Sequence, residues 1–185
     1  MSDGTGGHID VGVLSVAAPV LIPRAIALFK QYLPAVTVGL HEGTLDTLVP
    51  DLRAGRLDLI VGRVPLEPLD PDFVHQALLD DPIVIVAASG HPLSQRKRVK
   101  WKDLEDYAWI VPTASAPMYQ RLLSVLAAHG VRAPDNVVES VVIAANGALL
   151  QSYPTLGLLP KSLAQHYAEA GALRILPLAL GGIMG

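Results

Sequence analysis

Two rhythms of apolar residues alternate along this chain. Short continuous runs at residues 10–14, 36–40, 57–61, 83–88, 109–111, 137–140, 157–159 and 173–176 read as strands. Between them apolar positions recur every three or four residues. Ile22, Ile26, Phe29 and Leu33 mark one helix, Leu45, Leu48, Val49 and Leu52 a second, and Leu122, Leu123 and Leu126 a third. Further helices are predicted over 143–153 and 162–170. Pro34 ends the first helix. Gly55, Gly130 and Gly171 stand where helices stop, since a residue without Cβ takes the left-handed closing conformation at little cost. Strand-helix-strand alternation with right-handed crossovers predicts an α/β class with parallel pairing. Residues 66–71 are proline-rich and read as a crossing segment, so the chain forms two βα arrays rather than one.

The first array is organised around residues 52–63. A helix closes at Gly55, and Leu57, Leu59, Ile60 and Val61 then form a run suited to a strand buried on both faces. Gly62 stops the strand and Arg63 follows at its carboxyl end, where open α/β sheets bind ligands. A planar guanidinium there suits a carboxylate or a phosphate. Pro50 complicates the preceding helix, because an interior proline costs about 3 kcal/mol. Starting that helix at Thr44, with distortion at Pro50, uses Thr44 as N-cap and Asp46 at the positive end.

Composition narrows the function. Of 185 residues 51% are hydrophobic and 17% charged, so the chain buries a sizeable core. A net charge of -3 argues against this chain itself gripping nucleic acid, and aromatics at 5% weaken a reading based on base stacking or an aromatic sugar platform. With no cysteine, disulfides, thiol catalysis and thiolate metal sites are excluded. Charges, prolines and glycines interrupt every long apolar run, so no membrane span is expected. Residues 1–7 lack the pattern of a secretory signal and read as a linker remnant; the expected location is cytoplasmic.

Most candidate chemistry fails on spacing. The six histidines, His8, His41, His75, His91, His129 and His166, show no pair at one-turn spacing, so no metal site is expected. No nucleophile elbow, phosphate loop or dinucleotide fingerprint is present, so no catalytic residue and no cofactor is assigned. The neighbours Asp80 and Asp81, and Glu105 and Asp106, suit turns or helix starts better than a paired-carboxylate mechanism. The basic stretch at 96–100 reads as a solvated loop. The positive signal is a set of strand-end loops carrying Ser15 and Val16, Thr44, and Pro112 and Thr113. Helices opening there offer free N–H groups to an anion, and Arg63 completes a carboxylate-sized set. An equally simple account makes Ser15, Thr44 and Thr113 ordinary helix caps.

In combination these segments resemble the effector-binding domain of LysR-type transcriptional regulators. The matching residues are Ile9-Asp10-Val11-Gly12-Val13, Leu21-Ile22-Pro23 and Phe29-Lys30-Gln31-Tyr32-Leu33-Pro34. They continue with Glu42-Gly43-Thr44, the run from Leu52 to Arg63, Gly90-His91-Pro92-Leu93, Trp101-Lys102-Asp103-Leu104 and Gly157-Leu158-Leu159-Pro160. The resemblance implies two Rossmann-like subdomains joined by crossing strands, a type II periplasmic-binding-protein-like fold. Subdomain I would span 8–82 and subdomain II 83–177, with 178–185 turning back toward subdomain I. It implies a small, carboxylate-containing inducer contacted by Ser15, Val16, Thr44, Arg63, Pro112 and Thr113, with Arg63 either gripping it or lying at the rim. Val16 stands where many members carry a second hydroxyl, so one hydrogen bond would fall to backbone N–H. The chain is loosely similar to regulators of protocatechuate or galactose-related catabolism. Such domains form homodimers, and tetramers in full-length regulators. They meet DNA only through an N-terminal winged helix-turn-helix, which has no counterpart in these 185 residues. A last strand and helix of subdomain I likewise have none. Solute-binding proteins of transport systems share this fold, and an enzyme built on it would need a converging base and nucleophile.

Overall fold

The computed structural model describes residues 6–63 and 72–181, which fall in two compact units, Met1–Glu67 and Pro68–Gly185. The expected crossing segment at 66–71 lies outside the described residues.

In the first unit, β1 (His8–Val13), β2 (Thr37–Glu42) and β3 (Leu59–Val61) form a parallel sheet in the order β2-β1-β3. Helices α1 (Leu21–Tyr32) and α2 (Leu45–Arg53) connect them. Ile22 and Ile26 of α1 pack with Ile9, Val11 and Val13 of β1, Val38 of β2 and Val61 of β3, the usual core of one sheet face under one helix stripe. The stripe ends sooner than its spacing predicts: Leu33 is the cap residue ahead of Pro34 and is exposed. In α2, Thr44 is the N-cap, Asp46 lies in the first turn and Pro50 sits inside the helix. Gly55 follows with φ +68°, open space around it, and closes the helix as its position predicts.

The strand expected to be buried on both faces is not. Leu57 is buried, but Leu59 is 37% exposed and Ile60 and Val61 are half-buried. Among the described residues β3 pairs only with β1, so it is an edge strand with a less covered surface.

The second unit holds β4 (Ile83–Ala88), β5 (Ala108–Val111), β6 (Val137–Glu139), β7 (Thr155–Pro160) and β8 (Leu173–Ile175). Their order is β6-β5-β7-β4-β8; β5 runs parallel to β6 and β7, while β4 is antiparallel to β7 and β8. Helices α3 (Pro117–Ala128), α4 (Ile143–Ser152) and α5 (Lys161–Glu169) complete it. Leu122, Val125 and Leu126 of α3 pack on Ile85, Trp109, Val111 and Leu156. The Gly90-His91-Pro92-Leu93 turn has a local physical role: His91 Nδ1 accepts from Leu93 N at 3.1 Å and caps the short 3-10 helix Pro92–Gln95.

Residues 72–82 group with the second unit, whereas the sequence puts the boundary between 82 and 83. Asp81 supplies a physical reason. Its carboxylate accepts from Ser162 N at 2.9 Å and from Ser162 Oγ at 2.5 Å, serving as an N-terminal cap of α5 from 81 residues away, while Pro82 O accepts from Lys161 N. At the other end, Leu180 is buried in the second unit's core and its carbonyl accepts from Arg121 Nε at 2.9 Å. We expect Asp81→Ala to cost about 1–2 kcal/mol, as a lost cap does. Asp80→Ala should stay within about 0.5 kcal/mol, the range of ordinary surface changes. Urea unfolding of the two variants separates these outcomes.

Candidate functional site

At the carboxyl edge of the first unit's sheet, three loops are tied to one another by main chain. Leu14 N donates to Val61 O at 3.0 Å, and Gly43 N donates to Val13 O at 3.2 Å. The loops after β1, β2 and β3 therefore start side by side, bringing Ser15 and Val16, Thr44, and Arg63 to one edge. Gly62 permits the approach, because a Cβ there would lie 2.7 Å from Leu14 Cβ. Ser15 and Val16 sit half-buried in the turn leading to α1, and Arg63 is half-buried after β3.

In the second unit, Ser140 N donates to Val111 O at 2.8 Å, so the loops after β5 and β6 are also adjacent. Pro112 and Thr113 follow β5 directly, and Ala116, three residues later, is the N-cap of α3. The first turns of α3 and α4 thus open at this edge, with the unpaired N–H groups that every helix start carries.

Of the three hydroxyl-bearing residues, one stands at a helix N-cap. Thr44 is the N-cap of α2; its N–H donates to Thr47 Oγ1 at 3.1 Å, and its carbonyl accepts from Leu48 N at 2.9 Å. Ser15 and Thr113 cap nothing: Val20 occupies the N-cap of α1 and Ala116 that of α3. Among the described residues no hydrogen bond engages either hydroxyl. Extra turn residues separate Ser15 and Thr113 from α1 and α3.

One polar residue at this edge escaped the sequence reading. Asn146 of α4 is buried, and its Nδ2 donates to Ser140 O at 3.4 Å. A polar residue on the stripe formed by Ile143, Asn146 and Leu150 was the available signal. An open cavity of about 420 Å³ lies at the opposite, amino-terminal end of β5, β7 and β8, lined by Ser89, His91, Gln151, Tyr153 and Gly171.

Other titratable groups have structural partners. His8 Nε2 and His41 Nε2 lie 2.9 and 2.7 Å from the two oxygens of Asp10. Among the described residues no group of three or more His, Asp or Glu is arranged to hold a metal ion. The hydrogen bond from His41, then that from His8, holds the Asp10 carboxyl below its ordinary 3.8. A depressed carboxyl stabilises the fold above its unfolded pKa and loses that contribution as pH falls through its folded one. Melting curves from about pH 6 to about pH 2 should therefore fall less steeply for Asp10→Asn than for wild type in the acid range. Burial pushes the His91 imidazole down, and the ring stacks obliquely on Tyr107, with centroids 4.4 Å apart. In the basic stretch Arg96 pairs with Asp103 at 3.0 Å, and nearby Lys102 pairs with Glu105 at 2.8 Å.

Two α/β units, each a sheet with helices between its strands, are the architecture of the type II periplasmic-binding-protein-like fold. A family model described as the LysR substrate binding domain matches residues 2–183, and the chain belongs to that family. The transcriptional regulator GalR of Pseudomonas putida is 33% identical over 176 residues, which are 95% of this chain and 44% of GalR. The chain spans about half the length of the curated relatives it matches. Among solved structures, the regulatory domain of Synechocystis CcmR in complex with 2-PG has a TM-score of 0.69 at 22% identity, covering 92% of this chain and 80% of that one. The effector-binding domain of QuiR in complex with shikimate has a TM-score of 0.68 at 21% identity, covering 97% and 84%. These structures show the shared fold. Among the described residues no helix is long and apolar enough to cross a membrane.

Proposed function

We propose that this chain is the effector-sensing part of a transcriptional regulator and that its inducer is a small carboxylate. Ser15, Val16, Thr44 and Arg63 of the first unit and Pro112 and Thr113 of the second contact the acid. The observation that carries this reading is that the Ser15 and Thr113 hydroxyls stand at the carboxyl edges of their sheets and serve no helix as a cap. Hydroxyls, first-turn N–H groups and a guanidinium together are a donor set for a carboxylate. The module performs no turnover. Ligand shifts the populations of its conformations through differential affinity, and the full-length regulator transmits that shift to DNA through an N-terminal winged helix-turn-helix. The working form is a cytoplasmic homodimer, tetrameric in the full-length regulator.

Thermal-shift screening of small carboxylic acids tests the reading. An acid at about 100 times its Kd stabilises by about 2.7 kcal/mol, a shift of several degrees. Ser15→Ala, Thr113→Ala and Arg63→Ala should each reduce the shift from the best acid, and the two hydroxyl variants should leave the ligand-free melting temperature nearly unchanged. A shift indifferent to all three variants, or turnover of any acid by the purified chain, overturns it.

A further inference from the structure

Helix α4 turns Ile143, Asn146, Gly147 and Leu150 inward, and among these four only Asn146 is polar. Asn146 is 7% exposed. Its Nδ2 donates to Ser140 O at 3.4 Å, and turning the amide over would set Oδ1 against that acceptor instead. Oδ1 is buried and has no hydrogen-bond partner. Burying an acceptor unmet is costlier than burying an apolar side chain of similar size, so Asn146 is a poor choice for stability alone. Its place is specific. Ser140, which receives its amide, is bonded through N–H to Val111 O, and Pro112 and Thr113 follow Val111 at once. The unmet oxygen therefore belongs to the carboxyl edge of this sheet, beside the loop assigned to the effector.

We propose that Asn146 Oδ1 is a specificity-determining acceptor for a hydroxyl group of the bound effector, which makes the ligand class hydroxy-substituted carboxylic acids. The proposal rests on the effector reading given above. A carboxylate cannot answer Oδ1, since both are acceptors; it suits the N–H groups at the starts of α3 and α4 and the Thr113 hydroxyl. A hydroxyl elsewhere on the same molecule donates to Oδ1 and satisfies it. A site built to receive a hydroxyl discriminates against the analogue lacking it, because the buried acceptor is then left unpaired. A buried water is the competing occupant; it satisfies Oδ1 whichever acid is bound and produces no selectivity.

The test is calorimetric titration of the whole chain with matched acids differing in hydroxyl content: benzoate against 3-hydroxy- and 3,4-dihydroxybenzoate, and succinate against malate and tartrate. In at least one series the hydroxylated acid should bind wild type about tenfold or more tightly than its parent, the effect of one well-placed hydrogen bond. Asn146→Leu should erase that ratio, leave the parent acid's Kd within about threefold, and melt no lower than wild type without ligand. Asn146→Ala serves as second variant if leucine disturbs packing, and the same loss of ratio is expected. Retention of the hydroxyl preference by both variants, or no preference in wild type among acids that bind, overturns this proposal and leaves the effector reading standing. Failure of every acid to bind removes both.

Discussion

Trp109→Ala is expected to unfold the second unit at about 37 °C while leaving the first intact. Trp109 is 1% exposed and sits in β5 between α3 and the neighbouring strands, packed in one cluster with Ile85, Leu122, Leu126 and Leu156. Deleting an indole from such a site removes its transfer free energy and leaves a cavity that close-packed neighbours only partly fill, a loss of about 3–5 kcal/mol. Domains of this size have about 5–15 kcal/mol in all. The chain has two tryptophans. In the variant, Trp101, stacked on His129 at 4.8 Å, becomes the sole tryptophan and reports only on the second unit. Its urea transition should move down by about 2 M or more, taking a slope near 1–2 kcal/mol/M. The far-UV signal of the first unit's helices should persist beyond it. Trp109→Phe keeps most of the volume and should cost about half as much. A fluorescence transition unmoved by the alanine change would mean that Trp109 is not the keystone of this core.

The second large effect is expected from Gly62→Ala. The new Cβ would stand 2.5 Å from Leu14 Cγ and 2.7 Å from Leu14 Cβ, and the latter cannot swing away because it is fixed to the backbone. Relief requires β1 and β3 to part where Leu14 N meets Val61 O. Overpacking of this kind costs about 1–3 kcal/mol. Because Ser15 follows Leu14 and Arg63 follows Gly62, the same movement displaces two proposed ligand contacts, and affinity for the best acid should fall about tenfold or more. Gly62→Ala combined with Leu14→Gly removes the clash and should recover much of the stability, a coupling that a double-mutant cycle measures directly. Additive losses would show that the two positions do not press on each other.

Much of this architecture is legible in sequence because its causes are local. Gly55, Gly130 and Gly171 all take positive φ where helices end, a choice made by the absence of one Cβ. Thr44 and Asp46 start α2 despite Pro50, because capping and dipole terms act within a turn. The family pattern is equally local, resting on short runs such as those from Leu52 to Arg63 and from Gly90 to Leu93. Other features have causes far apart in the chain. The apolar run at 57–61 cannot announce that, among the described residues, β3 pairs on one side only, because exposure depends on what meets its far side. Asp81 reads as a turn residue until Ser162, 81 positions later, is brought to its carboxylate. Asn146 reads as an ordinary helix residue until tertiary packing buries its amide.

The class of fold, two βα arrays and the ends of their helices were already legible in the sequence. Helix periodicity, glycine stops and short motifs are written within a few residues of each other, so no folded partner is needed to read them. The antiparallel placement of β4, the exposure of β3 and the capping of α5 by Asp81 emerge only on folding. Folding also separates Thr44, which serves a helix, from Ser15 and Thr113, which do not, and it leaves Asn146 Oδ1 unpaired. Each of these depends on which distant backbone and side-chain groups end up as neighbours, and hydrogen-bond satisfaction is settled only when the whole chain has packed.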